Sequence, residues 1–244
     1  MKRVRALFQR QREVAIFDGG DELRAALQRL RDQGVELTRI VDVGAFRGGW
    51  TLEVRKTFPA AAALLVEPNL RHADALAQLA DRASAPTTIA HRLVGARRDA
   101  AARFHVTDDP SGGTGSSMLT ELTDVESHTE IMEMVTLGDV LDSAGFGVPD
   151  LVKLDVQGYE LEGLRGFEAQ LTSCRFVMLE VSVRQYNEGA PLMAEIIAWL
   201  DARDFVVHDI VGRLREPGGG DLLQLDLLFA RTSDPVRETF RSVV

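Results

Sequence analysis

The sequence predicts an α/β fold, in which a mostly parallel sheet carries helices on both faces and ends in an antiparallel hairpin. Two observations support this prediction. First, short apolar segments alternate with amphipathic segments of helical length, and this alternation builds a parallel sheet with right-handed crossovers. Second, two strand-like segments near the C-terminus enclose Pro217-Gly-Gly-Gly220, which is typical of a turn in a hairpin.

Length, composition and charge limit the class of protein. The chain has 244 residues, 45% of them hydrophobic, which suits one sizeable soluble domain. Its net charge of −9 argues against a broad nucleic-acid-binding face. The one cysteine, Cys174, allows no intrachain disulfide, and no apolar segment approaches the ~18–20 residues that span a membrane. We therefore expect a cytoplasmic protein without nucleic-acid partners or a transmembrane segment, and a homo-oligomer stays open.

The first element is a helix that leads into the sheet. Asp21 is expected to be its N-cap and Gly34 to end it, because leucines at positions i, i+4 and i+7 lie between them. Residues 1–36 are predicted to be a helical extension, with a basic N-terminal segment, and residues 37–244 to be the main domain.

The remaining elements follow from apolar periodicity and from turn residues. Strands are predicted at 39–43, 62–66, 87–94, 101–107, 134–137, 150–154, 175–181, 205–210 and 222–230. Helices are predicted at 50–58, 70–82 and 159–165, after an N-cap at Thr136, and from Pro191 onward. The polar segment from residue 108 to residue 133 is the longest candidate loop, and loops of that length are often functional.

The segment Thr38–Trp50 combines a buried strand, a glycine turn and the start of a helix. Glycines let the backbone approach a ligand, and the helix N-terminus presents N–H groups to it. The spacing after Asp42 is Asp-x-Gly-x-x-x-Gly, ending at Gly48, and not the Gly-x-Gly-x-x-Gly that binds a dinucleotide pyrophosphate. This variant resembles the first motif of S-adenosylmethionine (SAM) methyltransferases.

Acidic residues follow several predicted strands, and ligands of open α/β sheets bind at that edge. Glu67, after the second strand, is predicted to accept hydrogen bonds from both ribose hydroxyls of a nucleoside cofactor. Asp42 is predicted to balance an ammonium group of the cofactor, directly or through water. The other predicted cofactor-binding residues are Gly44, Ala45, Gly48, Pro68, Asn69, Gly95, Ser117, Asp155 and Gln157.

Five segments together resemble the FkbM family of methyltransferases. They are 41–49, 66–69, 115–118, 149–166 and 179–182, and their order and spacing match that family across roughly residues 38–231. The resemblance implies a class I methyltransferase fold, Rossmann-like with seven strands, and SAM as cofactor. It also implies O-methylation of a hydroxyl on a sugar, glycan or natural product, since most known members act on such acceptors.

Methyl transfer to a hydroxyl also requires removal of its proton. Asp155 is the first candidate for the base, and turn or cofactor hydrogen bonding is an equal alternative for it. His128, carried over the site by the long loop, is a second candidate. Some related O-methyltransferases bind a divalent cation between acids after the fourth and fifth strands, and Asp155, Glu180 and Asn187 are an oxygen-rich set at these positions. Because the clear Asp-Asn pair is absent, no metal site is predicted. A nicotinamide-dependent oxidoreductase and a SAM-binding module without turnover are the alternative functions.

Overall fold

Two sheets and the helices around them make up the fold of residues 20–108, 115–122, 126–216 and 220–242, which a computed structural model describes. The strands are β1 (Arg39–Val43), β2 (Ala62–Val66), β3 (Thr87–Ala90), β4 (Leu93–Val94), β5 (Asp99–Thr107), β6 (Ser127–Val135), β7 (Leu151–Leu154), β8 (Phe176–Ser182), β9 (Phe205–Arg215) and β10 (Leu222–Arg231). The α-helices are α1 (Gly20–Asp32), α2 (Gly49–Thr57), α3 (Ala73–Arg82), α4 (Leu137–Ala144), α5 (Glu160–Arg165), α6 (Glu168–Leu171) and α7 (Met193–Asp201). Short 3-10 helices span Leu70–His72 and Pro235–Ser242.

The main sheet has seven strands in the order β3-β2-β1-β7-β8-β10-β9. The first five strands in this order run parallel, and β10 runs antiparallel to both β8 and β9. The strand order therefore reverses between β1 and β7, and the carboxyl ends of β1, β2, β7 and β8 meet at one edge. This arrangement confirms the predicted mostly parallel sheet with a C-terminal antiparallel hairpin.

The second sheet has three strands in the order β4-β6-β5, and two predictions about this region are wrong. The single strand predicted at 87–94 is broken at His91 and Arg92, so that β3 belongs to the main sheet and β4 to the small one. The last part of the predicted loop, residues 127–133, belongs to strand β6, which pairs antiparallel with β5. Its side chains are mostly exposed, and an exposed strand lacks the apolar alternation that marks a half-buried one.

Two large apolar clusters lie on either side of the main sheet. One joins β7 and β8 to α4, α5 and α7, and it contains Cys174, which is fully buried with Sγ 3.2 Å from the carbonyl oxygen of Phe176. In the other, Leu23, Leu27 and Leu30 of α1 pack with residues of α2, β8 and β10. The first helix is thus part of the sheet's packing, while the division of the chain at residue 36 stays a prediction.

Local signals at helix ends are partly confirmed. Gly34 ends α1 with φ +82°, a conformation that glycine adopts without strain. Thr136 caps α4, since its hydroxyl accepts from the N–H of Asp139 and the Asp139 carboxylate accepts from the N–H of Thr136. Asp21 is not an N-cap but lies in the first turn of α1. The basic segment within residues 1–19 and most of the predicted turn at 217–220 lie outside the described residues.

Candidate functional site

Asp42, next to the last residue of β1, has a wholly buried carboxylate. It accepts a hydrogen bond from the Thr51 hydroxyl at 2.9 Å and lies 3.2 Å from the Lys153 ammonium. Lys153, on β7, also donates to the carbonyl oxygen of Gly44 at 3.2 Å and lies 3.4 Å from Asp155. Burial alone would lower the pKa of Lys153, but the carboxylates of Asp42 and Asp155 outweigh it and hold that pKa above its usual value. A buried cation therefore joins the ends of β1 and β7.

The turn after β1 has three residues with positive φ. Gly44 has φ +72°, and a Cβ atom there would lie 1.9 Å from the carbonyl oxygen of Asp155. Gly48 has φ +79°, and a Cβ atom would lie 2.3 Å from Leu79 of α3. Phe46 lies between them with φ +51°, which is uncommon for a residue with a side chain. Gly44 therefore lets the turn pack against the Asp155 backbone, and Gly48 lets it pack against Leu79. Contact of these glycines with a cofactor stays a prediction.

Glu67 follows β2 and accepts two backbone N–H groups, from Phe46 at 2.8 Å and from Asn69 at 2.9 Å. Burial raises the pKa of its carboxyl to about 7, although the two backbone donors act in the opposite direction. Asn69 is also buried; its Oδ1 accepts from the N–H of Arg71, whereas its Nδ2 has no hydrogen-bond partner among the described residues. The two carboxylate oxygens of Glu67 and the Nδ2 of Asn69, which has no partner among the described residues, thus lie together at the end of β2.

Asp155 follows β7, as predicted, and both of its oxygens have partners. Oδ2 faces Lys153, and Oδ1 accepts from Gln157 Nε2 at 2.9 Å. Gln157 itself has φ +55°, and two side chains, those of Ser117 and Asn187, donate to its carbonyl oxygen at 2.8 and 2.6 Å. The loop after β7 is therefore held in an uncommon conformation by two distant segments. Ser117 thereby acts on this loop, and its contact with a cofactor stays a prediction.

Glu160 holds the same loop from the first turn of α5. Its Oε1 accepts from the N–H groups of Val156 at 2.9 Å and Gly158 at 3.1 Å, so it binds the loop backbone. Burial raises the pKa of Glu160 to about 7.

Glu180, near the end of β8, is the centre of a hydrogen-bond network that the sequence did not assign. Three donors converge on its Oε1: Gln224 Nε2 at 2.7 Å, the Tyr186 hydroxyl at 2.9 Å and Gln157 Nε2 at 3.2 Å. Gln224 also donates to the Tyr186 oxygen at 2.6 Å. Acidic residues at strand ends were a usable signal for Glu180, but Gln224 lies on β10, which reaches Glu180 only through the antiparallel pairing of β10 with β8.

The placements of His128 and Gly95 differ from the predicted ones. His128 lies on β6 and not in a loop, and its Nδ1 lies 2.9 Å from Asp108, which also binds Arg71 at 3.2 Å. The hydrogen bond with Asp108 raises the pKa of His128. Gly95 follows β4 of the small sheet and lies against Gly166. A Cβ atom at Gly166 would lie 2.1 Å from the carbonyl oxygen of Gly95. The residue after β3 is His91, whose Nδ1 lies 3.2 Å from the carbonyl oxygen of Glu67.

Ala45 and Pro68 lie where the sequence places them. Ala45 is buried, and its N–H donates to the carbonyl oxygen of Val66 at 3.2 Å, which fixes the turn against β2. Pro68 separates Glu67 from Asn69 and is half-buried. No group of three or more His, Cys, Asp or Glu side chains in the described part of the chain is arranged to hold a metal ion. No described helix has both the length and the apolar character needed to cross a membrane.

Comparison with known families gives one match. Residues 42–207, more than half of the chain, match the family described as the methyltransferase FkbM domain. A comparison with curated protein sequences finds no match.

Several solved structures align with this chain. A "putative O-methyltransferase" from Klebsiella pneumoniae aligns with a TM-score of 0.51 and 15% identity, covering 88% of this chain and 80% of that chain. Methyltransferase FkbM from Methylobacillus flagellatus KT aligns with a TM-score of 0.47 and 16% identity, covering 78% of this chain. This chain spans only 43% of the length of that protein. Magnesium protoporphyrin IX methyltransferase from Synechocystis PCC 6803, solved with bound SAM, aligns with a TM-score of 0.47 and 13% identity, covering 87% of this chain and 80% of that chain.

Proposed function

The chain belongs to the methyltransferase FkbM domain family, and on that basis we propose that it methylates a hydroxyl group of a sugar, glycan or natural-product acceptor. Its methyl donor is S-adenosylmethionine. When bound, this cofactor supplies a methyl group on a sulfonium, and the carbon–sulfur bonding pair stays on sulfur as a neutral thioether forms. The protein's share of the work is to bind the two reactants side by side and to take up the acceptor's proton.

The pair of Glu67 and Asn69 is the observation that carries the proposal. Each Glu67 oxygen already accepts one backbone N–H and keeps capacity for another donor, which suits the two hydroxyls of a ribose. The Nδ2 of Asn69 is a buried donor without a partner in the described part of the chain, and such groups are costly unless a ligand or water satisfies them. Glu67 and Asn69 would therefore hold the nucleoside part of the cofactor, beside the turn that contains Gly44 and Gly48.

Asp42 and Lys153 form a buried ion pair next to this site. Both are almost fully buried, and their ion pair links side chains of the neighbouring strands β1 and β7. We assign Asp155, at the end of β7, to the boundary between cofactor and acceptor. Lys153 holds one of its oxygens there and Gln157 the other.

The acceptor would bind against two segments that pair with each other, 115–122 and 182–192. The N–H of Leu122 donates to the carbonyl oxygen of Tyr186 at 2.8 Å, and the N–H of Glu188 donates to that of Thr120 at 2.8 Å. Together with Ser117 and Asn187, which hold the Gln157 carbonyl, these bonds form a wall beside Asp155 and Glu180. Tyr186 is part of this wall.

Calorimetry with S-adenosylhomocysteine tests the cofactor site. Glu67→Ala is expected to weaken binding at least tenfold, while Glu168→Ala, which changes an exposed glutamate on α6, leaves it unchanged. Since the ionised carboxylate accepts the ribose hydroxyls and the pKa of Glu67 is about 7, wild-type affinity is expected to rise up to about tenfold from pH 6 to pH 8. Folded protein that gives no heat with S-adenosylhomocysteine would refute the proposal.

Product analysis with neutral sugars, lipid-linked sugars and polyketides tests the acceptor class. Methyl ethers are the expected products. Transfer to an amine instead would keep the enzyme class but overturn O-methylation, and binding without any transfer would favour a SAM-binding module. Stabilisation by NAD rather than SAM in a thermal-shift screen would favour the oxidoreductase. A cytoplasmic location and a homo-oligomer stay predictions, as does a catalytic role for His128.

A further inference from the structure

The two carboxylates nearest to the acceptor wall differ in what surrounds them. Asp155 has a donor on each oxygen, and one of these donors is the Lys153 ammonium. An ion pair and an amide donor thus occupy the two oxygens of Asp155. The hydrogen bonds of Glu180 all come from neutral groups, and all three reach Oε1. On Oε2, no described residue donates a hydrogen bond.

The carboxyl groups that face Glu180 also favour proton uptake. They come from the loop after β7, from β10 and from α5: Asp155, Asp226 and Glu160. The Tyr186 hydroxyl, from the segment after β8, acts in the opposite direction because it donates to the ionised form. The cation of this cluster, Lys153, is paired with Asp42 and Asp155. Burial, together with the charges of Asp155 and Asp226, raises the pKa of Glu180 well above its usual range. A base with a pKa close to the working pH is the most effective one.

We propose that Glu180, and not Asp155, takes the proton of the acceptor hydroxyl, and that Tyr186 and Gln224 position it by holding Oε1 so that Oε2 is left for the acceptor. This inference rests on the proposed O-methyltransferase function. As the acceptor oxygen forms its bond to the methyl carbon, its O–H bond breaks. The proton passes to Oε2 of Glu180, and the bonding pair stays on the ether oxygen.

The test compares Glu180→Gln with Asp155→Asn in the full chain, using a hydroxyl acceptor found in the product screen. Glu180→Gln is expected to lower kcat by about 100-fold or more, with S-adenosylhomocysteine affinity within about twofold of wild type. The rise of kcat with pH on the acidic side, present in wild type, should be absent from this variant. Asp155→Asn should keep that rise, and Glu180→Asp should restore part of the rate.

Tyr186→Phe tests the positioning role separately. The Tyr186 hydroxyl donates to the ionised form of Glu180, so its loss should move the acidic limb of the pH profile to higher pH. A tyrosine with only a structural role would change the rate and leave the limb in place.

The outcomes separate the inference from the function on which it rests. Wild type that methylates a hydroxyl while Glu180→Gln keeps full activity and the acidic limb would overturn the role of Glu180. Loss of the limb in Asp155→Asn alone would assign the base to Asp155. Wild type that binds S-adenosylhomocysteine but methylates no hydroxyl acceptor would overturn the proposed function, and the role of Glu180 with it.

A stability measurement checks the same residue without turnover. A carboxyl whose pKa is raised in the folded state destabilises the protein progressively as pH rises from its unfolded pKa to its folded pKa. The melting temperature of Glu180→Gln should therefore increase relative to that of wild type as the pH is raised from 5 to 8. A difference in melting temperature between the two proteins that stays the same from pH 5 to pH 8 would contradict the proposal.

Discussion

Lys153 is a cation that lies almost wholly inside the protein, with 5% of its surface exposed. Lys153→Met is expected to lower the free energy of unfolding by about 3–5 kcal/mol, because it leaves the buried carboxylate of Asp42 without a counter-ion. Urea denaturation at pH 7 measures this change. The double variant Asp42→Asn/Lys153→Met should be more stable than Lys153→Met alone, since no buried charge then remains unpaired.

Lys56 provides a matched control, because its ammonium binds Glu53 while more than half of its side chain is exposed. Lys56→Met should change the free energy of unfolding by less than about 1 kcal/mol. If Lys153→Met were equally mild, the buried ion pair between β1 and β7 would not contribute to the stability of the fold.

Single residues at strand ends were predictable, and their partners were not. Glu67 and Asp155 are found where the sequence places them, because an acid directly after an apolar strand is a visible pattern. Lys153 lies within a buried strand, where its position gives no sign of the Asp42 carboxylate on the neighbouring strand. The left-handed conformation of Gln157 depends on Ser117 and Asn187, which lie 40 and 30 residues away in the chain.

The turn between β1 and α2 depends on the absence of a side chain at Gly44. Gly44→Ala is expected to lower the free energy of unfolding by more than about 2 kcal/mol, because its Cβ atom would meet the Asp155 carbonyl oxygen at 1.9 Å and its φ is +72°. Gly49→Ala is the control, since a Cβ atom there has no neighbour within 4 Å. Chemical denaturation of both variants measures the difference, and equal stability would show that the turn adapts to a side chain.

Strands that are buried were predictable from their apolar residues, and the exposed strand β6 was missed. The parallel strands β1, β2, β7 and β8 are almost entirely buried, so their apolar segments are distinct in the sequence. In β6 the first five side chains are exposed, and the strand exists because β5 pairs with it. Pairing between distant segments leaves no local pattern in an exposed strand.

The first helix and the sheet are expected to unfold together. Leu27 of α1 is fully buried against residues of α2, β8 and β10. Leu27→Ala should therefore lower the free energy of unfolding by about 2–5 kcal/mol and leave a single transition. Leu52→Ala, at a leucine that is 52% exposed, should change it by less than about 1 kcal/mol.

Circular dichroism and tryptophan fluorescence, followed through the same denaturation of Leu27→Ala, provide the measurement. Coincident curves would place α1 in one cooperative unit with the sheet. Two separate transitions would instead support the division of the chain at residue 36.

At the scale of the whole molecule, sequence patterns located the strand ends that form the proposed cofactor half of the candidate site, but not the network in the proposed acceptor half. The positions of the buried strands, the glycine turn and Glu67 all follow from patterns within single segments. The network around Glu180 draws Gln157, Tyr186 and Gln224 from three different segments. Such a convergence is a property of the tertiary fold, which no single segment encodes.

The burial of Cys174 has a practical consequence for spectroscopy. It is the one sulfhydryl in the chain, and burial raises its pKa to about 12, so it should not react with maleimide reagents while the protein is folded. A cysteine introduced at Leu70, beside the proposed cofactor residues, or at Leu122, in the proposed acceptor wall, would then be labelled selectively, since both positions are exposed. Labels at both positions would report the distance between the two halves of the candidate site in solution, before and after ligands bind.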